Sequence, residues 1–334
     1  MTTPRIISAR ACCCWLSGAF SLLLLLCGAA AAAEWTPSER ITLVTHSSPG
    51  TGNELMLREI ADIWNKNKFV PKLVSVESVT GSQGEKARRY VITQNNANPH
   101  LLAAYTPPSL NNPLLMGSDS GWRKFTPIAM MAYDPMVLVV SADGPYQSLK
   151  DLVTAAKEKP RSVLQGGGSY GNSASMAGKI LEEAAGVSFS YVPFKGGGDA
   201  VLALMGKHVH FILENPSEVE QHVKAGKLKA VTVSEQLNMF PGVPTFEGAG
   251  YKMTLLKQFR ALMAPPGISP EVVRYYVQLL ERTRGTPQWK DYLARNAITD
   301  GWMTGARLAA FYEEEEKMYL RLDQAMGLQK KKGK

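Results

Sequence analysis

The strongest constraint on the fold is an alternation of short apolar runs with longer stretches of helical spacing. In the amino-terminal part, the sequence predicts strands at 41–45, 73–77 and 101–104, and helices from about 54 to 67 and after Gly84. Strands that alternate with helices build βαβ units and an open parallel sheet. This part of the chain therefore predicts an α/β fold.

The same alternation returns further along the chain. Strands are predicted at 136–140, 162–165, 188–192, 209–213 and 230–233, and helices at 149–158, 173–185 and 199–205. Without residues 1–33, which are discussed below, about 300 residues remain, enough for two compact lobes or one large domain. No sequence repeat or low-complexity linker marks a boundary, and we expect two α/β lobes.

Residues 1–33 have the features of a secretory signal peptide. Arg5 and Arg10 precede an apolar run that gives way to a series of alanines before Glu34. The apolar run is short for a transmembrane helix, and the small residues offer a cleavage site. We predict export to the periplasm and a mature chain that begins near Glu34.

The cysteines, at positions 12, 13, 14 and 27, all lie in this segment. The mature chain is therefore predicted to have no thiol, which excludes cysteine-dependent catalysis and cysteine metal ligands. A lipid anchor on Cys27 is not expected, because the residue before such a cysteine is normally small and here it is Leu26.

The charge balance indicates mild attraction of anions. Loss of Arg5 and Arg10 lowers the formal charge from +8 to +6. Basic residues are not interleaved with aromatic ones in a stripe, so we expect no nucleic-acid partner. The four glutamates at 313–316 fall in a helical pattern and predict a solvated helix face, not a metal site.

The loop after the first predicted strand is rich in glycines and hydroxyls. In an open α/β sheet, ligands lie beyond the carboxyl ends of strands, where helix N–H groups are free. Glycines allow a ligand to approach the backbone closely, and hydroxyl and amide groups donate hydrogen bonds to a carboxylate. The alternative is a plain turn with Asn53 as helix cap. The loop comprises Ser48, Pro49, Gly50, Thr51, Gly52 and Asn53.

A second loop of this kind, at 166–175, contains Gly168, Ser169 and Ser173. Its glycines fit G-x-G-x-x-G, but a dinucleotide site requires an acidic residue at the end of the next strand. That strand ends in Pro193 and Phe194. We therefore predict a second anion-binding loop and no cofactor.

Lys195 lies in a third glycine-containing loop and could pair with an anion or simply be a surface lysine.

The remaining motifs argue against catalysis. Residues 167–171 match G-x-S-x-G by letter, but we assign this loop to anion binding and expect no catalytic partner among the five histidines. His208 and His210 are predicted to share a strand face as exposed edge residues, because no third metal ligand is near. We expect no enzyme activity.

Five collinear segments resemble the TctC/Bug family, the extracytoplasmic receptors of tripartite tricarboxylate transporters. Pro49 to Glu54 is similar to P-G-G-x-x-D, and Thr80 to Gly84 is similar to the family's next glycine loop. Tyr191 to Gly196 resembles V-P-Y-K-G with Phe194 in place of tyrosine. Residues 225–233 resemble A-G-K-L-R-A-L-A-V, and 241–250 resemble P-D-V-P-T-x-x-E-x-G. The resemblance covers essentially the whole mature chain.

The resemblance implies an α/β two-lobe periplasmic binding protein, a type 2-like Venus flytrap with crossover strands. Residues 34–137 and 258–334 would form lobe 1, and 138–257 lobe 2, with hinges near 134–140 and 256–264. Ligand would be bound between the lobes, which close over it.

The resemblance also implies the function and the site. The protein is expected to capture a small di-, tri- or aromatic carboxylate and deliver it, as a monomer, to the membrane subunits of a tripartite tricarboxylate transporter. Signalling to a membrane kinase remains an alternative. The implied ligand-binding residues are Ser48 to Asn53, Gly81, Ser82 and Thr106 on lobe 1, with Gly168, Ser169, Ser173, Lys195 and Asn215 on lobe 2.

Overall fold

The computed structural model describes residues 1–2, 35–94 and 97–328. Apart from Met1 and Thr2, the predicted signal peptide and all four cysteines lie outside the described residues. Within those residues, no helix is long and apolar enough to cross a membrane.

Eleven strands occur in the described part of the chain: β1 (Ile41–Thr45), β2 (Val74–Ser78), β3 (Leu101–Tyr105), β4 (Thr126–Asp134), β5 (Val137–Ser141), β6 (Leu164–Gly167), β7 (Ser190–Pro193), β8 (Phe211–Glu214), β9 (Leu228–Val233), β10 (Gln258–Ala264) and β11 (Thr299–Thr304).

The α-helices of this part are α1 (Gly52–Lys66), α2 (Glu85–Arg89), α3 (Pro107–Met116), α4 (Leu149–Glu158), α5 (Ser173–Ala185), α6 (Gly197–Met205), α7 (Pro216–Lys224), α8 (Pro270–Arg284), α9 (Pro287–Arg295) and α10 (Gly305–Ala325). The α/β class is confirmed. Helices α4 and α5 have the predicted bounds, whereas the stretch after Gly84 is only one short helix followed by a π-helical turn at 90–94.

The strands form two mixed sheets, not the open parallel sheet that the alternation predicted. The first has the order β11-β4-β10-β3-β1-β2, and the second β7-β6-β8-β5-β9. Strand β10 is antiparallel to both of its neighbours, and so is β5. The chain passes from the first sheet to the second before β5, and it returns to the first sheet before β10. Apolar periodicity did not predict their antiparallel pairing, because it carries no information on strand direction.

Helices cover both faces of each sheet. On one face of the first sheet, α1, α8 and α9 bury Trp64, Tyr276 and Trp289 with the strands. On its other face, α10 packs Tyr312 against Phe259. Each fully buried large apolar side chain contributes roughly 1.5–3 kcal/mol, so these clusters fix the frame from which the loops project.

Helix α10 packs on the first sheet and also contacts α5, a helix of the second half of the fold. Its carboxyl-terminal half shares a buried cluster with Met176 and Ile180 of α5, the helix that follows β6 of the second sheet. Close by, Arg321 Nη1 lies 2.6 Å from Glu183 Oε2. The helix therefore joins the two halves of the fold by apolar packing and an ion pair.

The glutamate run on α10 is not a uniformly solvated face. Glu313 and Glu314 are exposed, but Glu315 is buried and accepts hydrogen bonds from the Lys257 backbone N–H at 3.3 and 3.4 Å. Burial raises the pKa of Glu315 to about 7. The prediction was wrong for this residue because it lies on the helix face that also carries Tyr312 and Tyr319.

The two histidines predicted on one strand edge precede the strand instead. Strand β8 begins at Phe211, after His208 and His210. His208 is exposed, whereas His210 is half-buried and its Nδ1 accepts a hydrogen bond from the Leu164 N–H at 2.8 Å. His210 therefore holds the turn against β6.

Candidate functional site

A cavity of about 610 Å³ lies at the carboxyl ends of β1, β2, β3 and β6. Its wall carries hydroxyl, amide and aromatic groups, and no Asp, Glu, Lys or Arg side chain among the described residues lines it. The lining residues are His46, Ser48, Thr80, Gly81, Gln83, Gly84, Pro107, Pro108, Asn111, Asn112, Leu115, Ser169, Tyr170, Gly171, Asn172, Ser173, Gln258, Tyr319 and Leu328. The position is the one at which α/β sheets bind ligands.

Four of the predicted ligand-binding residues are brought together on this wall: Ser48, Gly81, Ser169 and Ser173. They come from loops of both sheets. The other predicted residues lie outside the lining: Pro49, Gly50, Thr51, Gly52, Asn53, Ser82, Thr106, Gly168, Lys195 and Asn215.

The start of α1 explains why most of the first loop faces elsewhere. The helix cap is Thr51, not Asn53, and Gly52 is already helical. Buried Glu54 reaches back, and its Oε2 accepts a hydrogen bond from the Gly50 N–H at 3.1 Å. A protein carboxylate thus occupies the donor that the loop sequence offered to a ligand, as a glutamate in the first helical turn commonly does.

Arg260, on β10, also holds the start of α1 in place. Its Nε and Nη2 donate to the carboxylate of Asp134 at 3.0 and 2.7 Å, and its Nη1 donates to Gly52 O at 2.7 Å and to Tyr292 Oη at 3.0 Å. The side chain is 10 % exposed. One guanidinium therefore connects β4, β10, α1 and α9.

The loop between β2 and α2 is strained. Its backbone φ values are positive at four successive residues: +127° at Gly81, +47° at Ser82, +53° at Gln83 and +81° at Gly84. Residues other than glycine rarely adopt positive φ. The Gln83 carbonyl accepts hydrogen bonds from Asn112 Nδ2 at 2.9 Å and from Arg88 Nη1 at 3.2 Å. These bonds hold the strained backbone on the cavity wall, and strain of this kind clusters at functional sites.

His46 lies between that loop and α3. Its Nδ1 is 3.4 Å from Ser109 Oγ, which is in turn 3.4 Å from the hydroxyl of Thr106, the cap of α3. Burial and the nearby guanidinium of Arg88 lower the pKa of His46 to about 4. A neutral imidazole therefore faces the cavity at physiological pH.

This burial predicts a pH dependence of stability. The unfolded chain protonates His46 near pH 6.5, whereas the folded protein does so only near pH 4. The free energy of unfolding should therefore fall as the pH drops from about 6.5 to about 4. Chemical denaturation across this range should show a shallower decline for His46→Gln than for the wild type. Parallel curves would contradict a neutral buried imidazole.

The loop before α5 is held by its own side chains. Asn172 caps the helix, its Oδ1 accepting from the Ser175 N–H at 3.0 Å, and Ser175 Oγ accepts from the Gly171 N–H at 2.9 Å. Tyr191 Oη donates to the Gly168 carbonyl at 2.8 Å. These bonds present Ser169 and Ser173 to the cavity at a helix N-terminus, the positive end of the helix dipole.

The third predicted loop has different surroundings. Lys195 is exposed, and Gly197 starts α6 beside acidic side chains: a Cβ added there would lie 2.9 Å from Glu214 Oε2, and Glu218 is also adjacent. Burial and the charge of Glu218 raise the pKa of Glu214 to about 8. Asn215 caps α7 without a side-chain bond. This loop lies next to carboxyl groups and not on the cavity wall.

The carboxyl-terminal end of α10 completes the wall. Gly327 has a φ of +68°, and the Leu328 N–H donates to the Asp323 carbonyl at 2.8 Å, which forms a Schellman turn. The turn directs Leu328 toward Gly171, where an added Cβ would lie 3.0 Å from Leu328 Cδ1. Tyr319 of the same helix also lines the cavity.

Several lining residues escaped sequence analysis. Asn111 and Asn112 lie on α3, whose start could have been recognised from prolines 107 and 108 after Thr106, since proline favours the first helical turn. Gln258 and Tyr319 come from elements distant in sequence, and no local pattern marks them as polar or aromatic wall residues.

Comparison with known proteins gives consistent matches. The protein is 27% identical over 312 residues to the "UPF0065 protein in gbd 5′ region" of Cupriavidus necator, with 90% of this chain and 92% of that one covered. A TctC solute-binding protein from Polaromonas, solved without ligand, has a TM-score of 0.77 at 25% identity and covers 86% of this chain and 99% of its own.

A second solved structure, Rpa4515 of R. palustris with adipate, shares the fold with a TM-score of 0.70 at 22% identity, covering 87% of this chain and 98% of its own. The sequence model described as the tripartite tricarboxylate transporter family receptor matches residues 109–328. The protein therefore belongs to the TctC family of periplasmic solute-binding receptors, the family that the sequence motifs predicted.

Proposed function

We propose that this protein is an exported receptor, without catalytic activity, that binds a small carboxylate in the 610 Å³ cavity and delivers it to a tripartite transporter. The observation that carries the proposal is the composition of the wall: neutral donors from loops of both sheets converge there, in a member of a receptor family. The cavity volume suits a small molecule, for which pockets commonly measure about 300–1,000 Å³.

The two sheets fit the two lobes of a hinged receptor. The first sheet uses strands from 41–134 and 258–304, and the second uses strands from 137–233. We therefore take 34–137 with 258–334 as one lobe and 138–257 as the other. A carboxylate that bonds to loops of both lobes favours the closed state by its differential contacts with the two states.

No lysine or arginine of the described residues lines the cavity, so neutral groups would hold the anion. The loop before α5 supplies hydroxyls and helix N–H groups, and His46 adds a neutral imidazole from the other side. Charge-assisted hydrogen bonds are worth roughly 1.5–3 kcal/mol each, so a few of them support binding after ordering costs. Such a site selects an anion by preorganised dipoles, which also allows its release.

The first test is a thermal-shift screen of the mature chain against small di-, tri- and aromatic carboxylates. A ligand at about one hundred times its Kd stabilises the folded state by roughly 2.7 kcal/mol, which is a rise in Tm of about 4 °C for a chain of this size. The matched control is the ester in which every carboxyl group of the acid is methylated, and it should give no rise in Tm. Equal shifts from acid and ester, or no shift from any carboxylate, would contradict the proposal.

Partner identity needs a separate experiment. Membranes that contain the membrane subunits of the transporter should retain the ligand-bound protein more strongly than the ligand-free protein. Retention by a membrane kinase instead would assign the same binding chemistry to sensing.

A further inference from the structure

One amide on the cavity wall has an oxygen without a partner. Asn111 of α3 is 5 % exposed, and its Oδ1 has no hydrogen-bond partner among the described residues. Leaving a buried acceptor unsatisfied destabilises the folded protein, because the acceptor has lost its hydrogen bond to water. An acceptor of this kind on a ligand cavity therefore points to a donor that the ligand supplies.

The orientation of this amide is fixed by chemistry. Asn111 Nδ2 donates to Asp323 Oδ1 over 3.5 Å, and Asp323, on α10, is 1 % exposed. Burial raises the pKa of Asp323 to about 6, so this carboxylate is ionised near pH 7 and only accepts hydrogen bonds, and the NH₂ group must face it. The carbonyl oxygen of Asn111 must then point away from α10.

Gln258, which lines this cavity and also a neighbouring one of about 300 Å³, has a second orphaned amide atom. Gln258 lines the cavity from β10, and its Nε2 is buried without a hydrogen-bond partner in the described part of the chain. Besides the hydroxyl and amide groups of the loops, the lining residues thus carry one unpartnered acceptor and one unpartnered donor, and no charged side chain of the described residues lines the cavity. A hydroxyl or carboxamide, which both donates and accepts, satisfies this pair, whereas a second ionised group would be left without a counter-charge.

We propose that Asn111 is a specificity-determining residue that accepts a hydrogen bond from a ligand O–H or N–H, and that Asp323 is the residue that positions it. The preferred ligand is then a small carboxylate that also carries a neutral hydroxyl or carboxamide. This inference rests on the proposed function and names the ligand class of the same site.

The test compares matched ligands by isothermal titration calorimetry. Suitable sets are succinate with malate and succinamate, adipate with adipamate, and benzoate with 4-hydroxybenzoate. In the wild type, a hydroxyl- or amide-bearing member should bind roughly 3–10-fold more tightly than its plain parent, the effect of one net hydrogen bond. In Asn111→Ala this preference should disappear.

Two further variants separate selectivity from general damage. Asn112→Ala is the matched control, because Asn112 lies on the same helix and wall but its Nδ2 already bonds to Gln83 O at 2.9 Å. It should weaken all ligands alike and keep their ratio. Asp323→Asn lets the Asn111 amide turn either way and should reduce the ratio; it also decides the matter if Asn111→Ala does not fold.

The outcomes are distinguishable. If the wild type binds no member of any set, the proposed carboxylate function fails, and this inference fails with it. If the wild type binds the plain parents as tightly as their derivatives, or if Asn111→Ala and Asn112→Ala change all affinities in the same proportion, the inference alone is overturned.

Discussion

Replacing Arg260 with alanine is expected to lower the free energy of unfolding by about 3–5 kcal/mol, because it leaves a buried carboxylate without its counter-charge. Asp134 is only 15 % exposed and receives two hydrogen bonds from the guanidinium. The Gly52 carbonyl and Tyr292 hydroxyl lose a partner as well. Urea denaturation, followed by far-ultraviolet circular dichroism, measures the loss.

A double variant tests the cause. In Arg260→Met with Asp134→Leu, both charges are replaced by apolar groups of similar size, and removal of a buried pair as a whole is often close to neutral. Most of the lost stability should return. If the double variant is as unstable as Arg260→Ala, the loss comes from the helix-start contacts at Gly52 and not from the orphaned charge.

Gly168→Asp is expected to weaken carboxylate binding by at least about 100-fold, because a like charge placed at an anion site costs several kcal/mol. Gly168 is buried directly before Ser169 of the cavity wall, and a Cβ there would lie 2.6 Å from Asn172 Nδ2. The new carboxylate would stand at the start of α5, in competition with the ligand. Calorimetry with the strongest ligand of the thermal-shift screen measures the change.

Gly168→Asn is the matched control for this substitution. It brings the same Cβ toward the flexible end of Asn172 and has nearly the same shape, but no charge. It should retain most of the affinity that the aspartate removes. Equal losses in both variants would indicate displacement of the Asn172 cap, and unchanged affinity in both would remove this loop from the site.

The sequence predicted the parts of the site whose chemistry is local. Glycines and hydroxyls after β1 and β6 indicated the loops that contain Ser48 and Ser169. At the carboxyl ends of strands, glycines let a ligand approach the backbone, and hydroxyls and helix N–H groups contact an anion. The sequence offered Asn53 as the cap of α1, two residues after the observed cap, Thr51. The reason is that glycine is typical of loops, although Gly52 is the first residue of the helix.

The rest depended on tertiary structure. Strand direction is invisible to apolar periodicity, so the antiparallel β5 and β10 could not be expected from the alternation. Asn111 looks like any polar residue of a short helix, and only its contact with Asp323, more than two hundred positions later, gives it a defined orientation. Burial of Glu315 likewise follows from where α10 packs.

The Schellman turn at the end of α10 has a practical consequence. Because Leu328 forms part of the cavity wall, a segment fused a few residues after it is tethered close to the cavity. We expect a purification tag placed there to compete with a ligand for the cavity. Binding studies are therefore better served by a cleavable tag at the amino end of the mature protein.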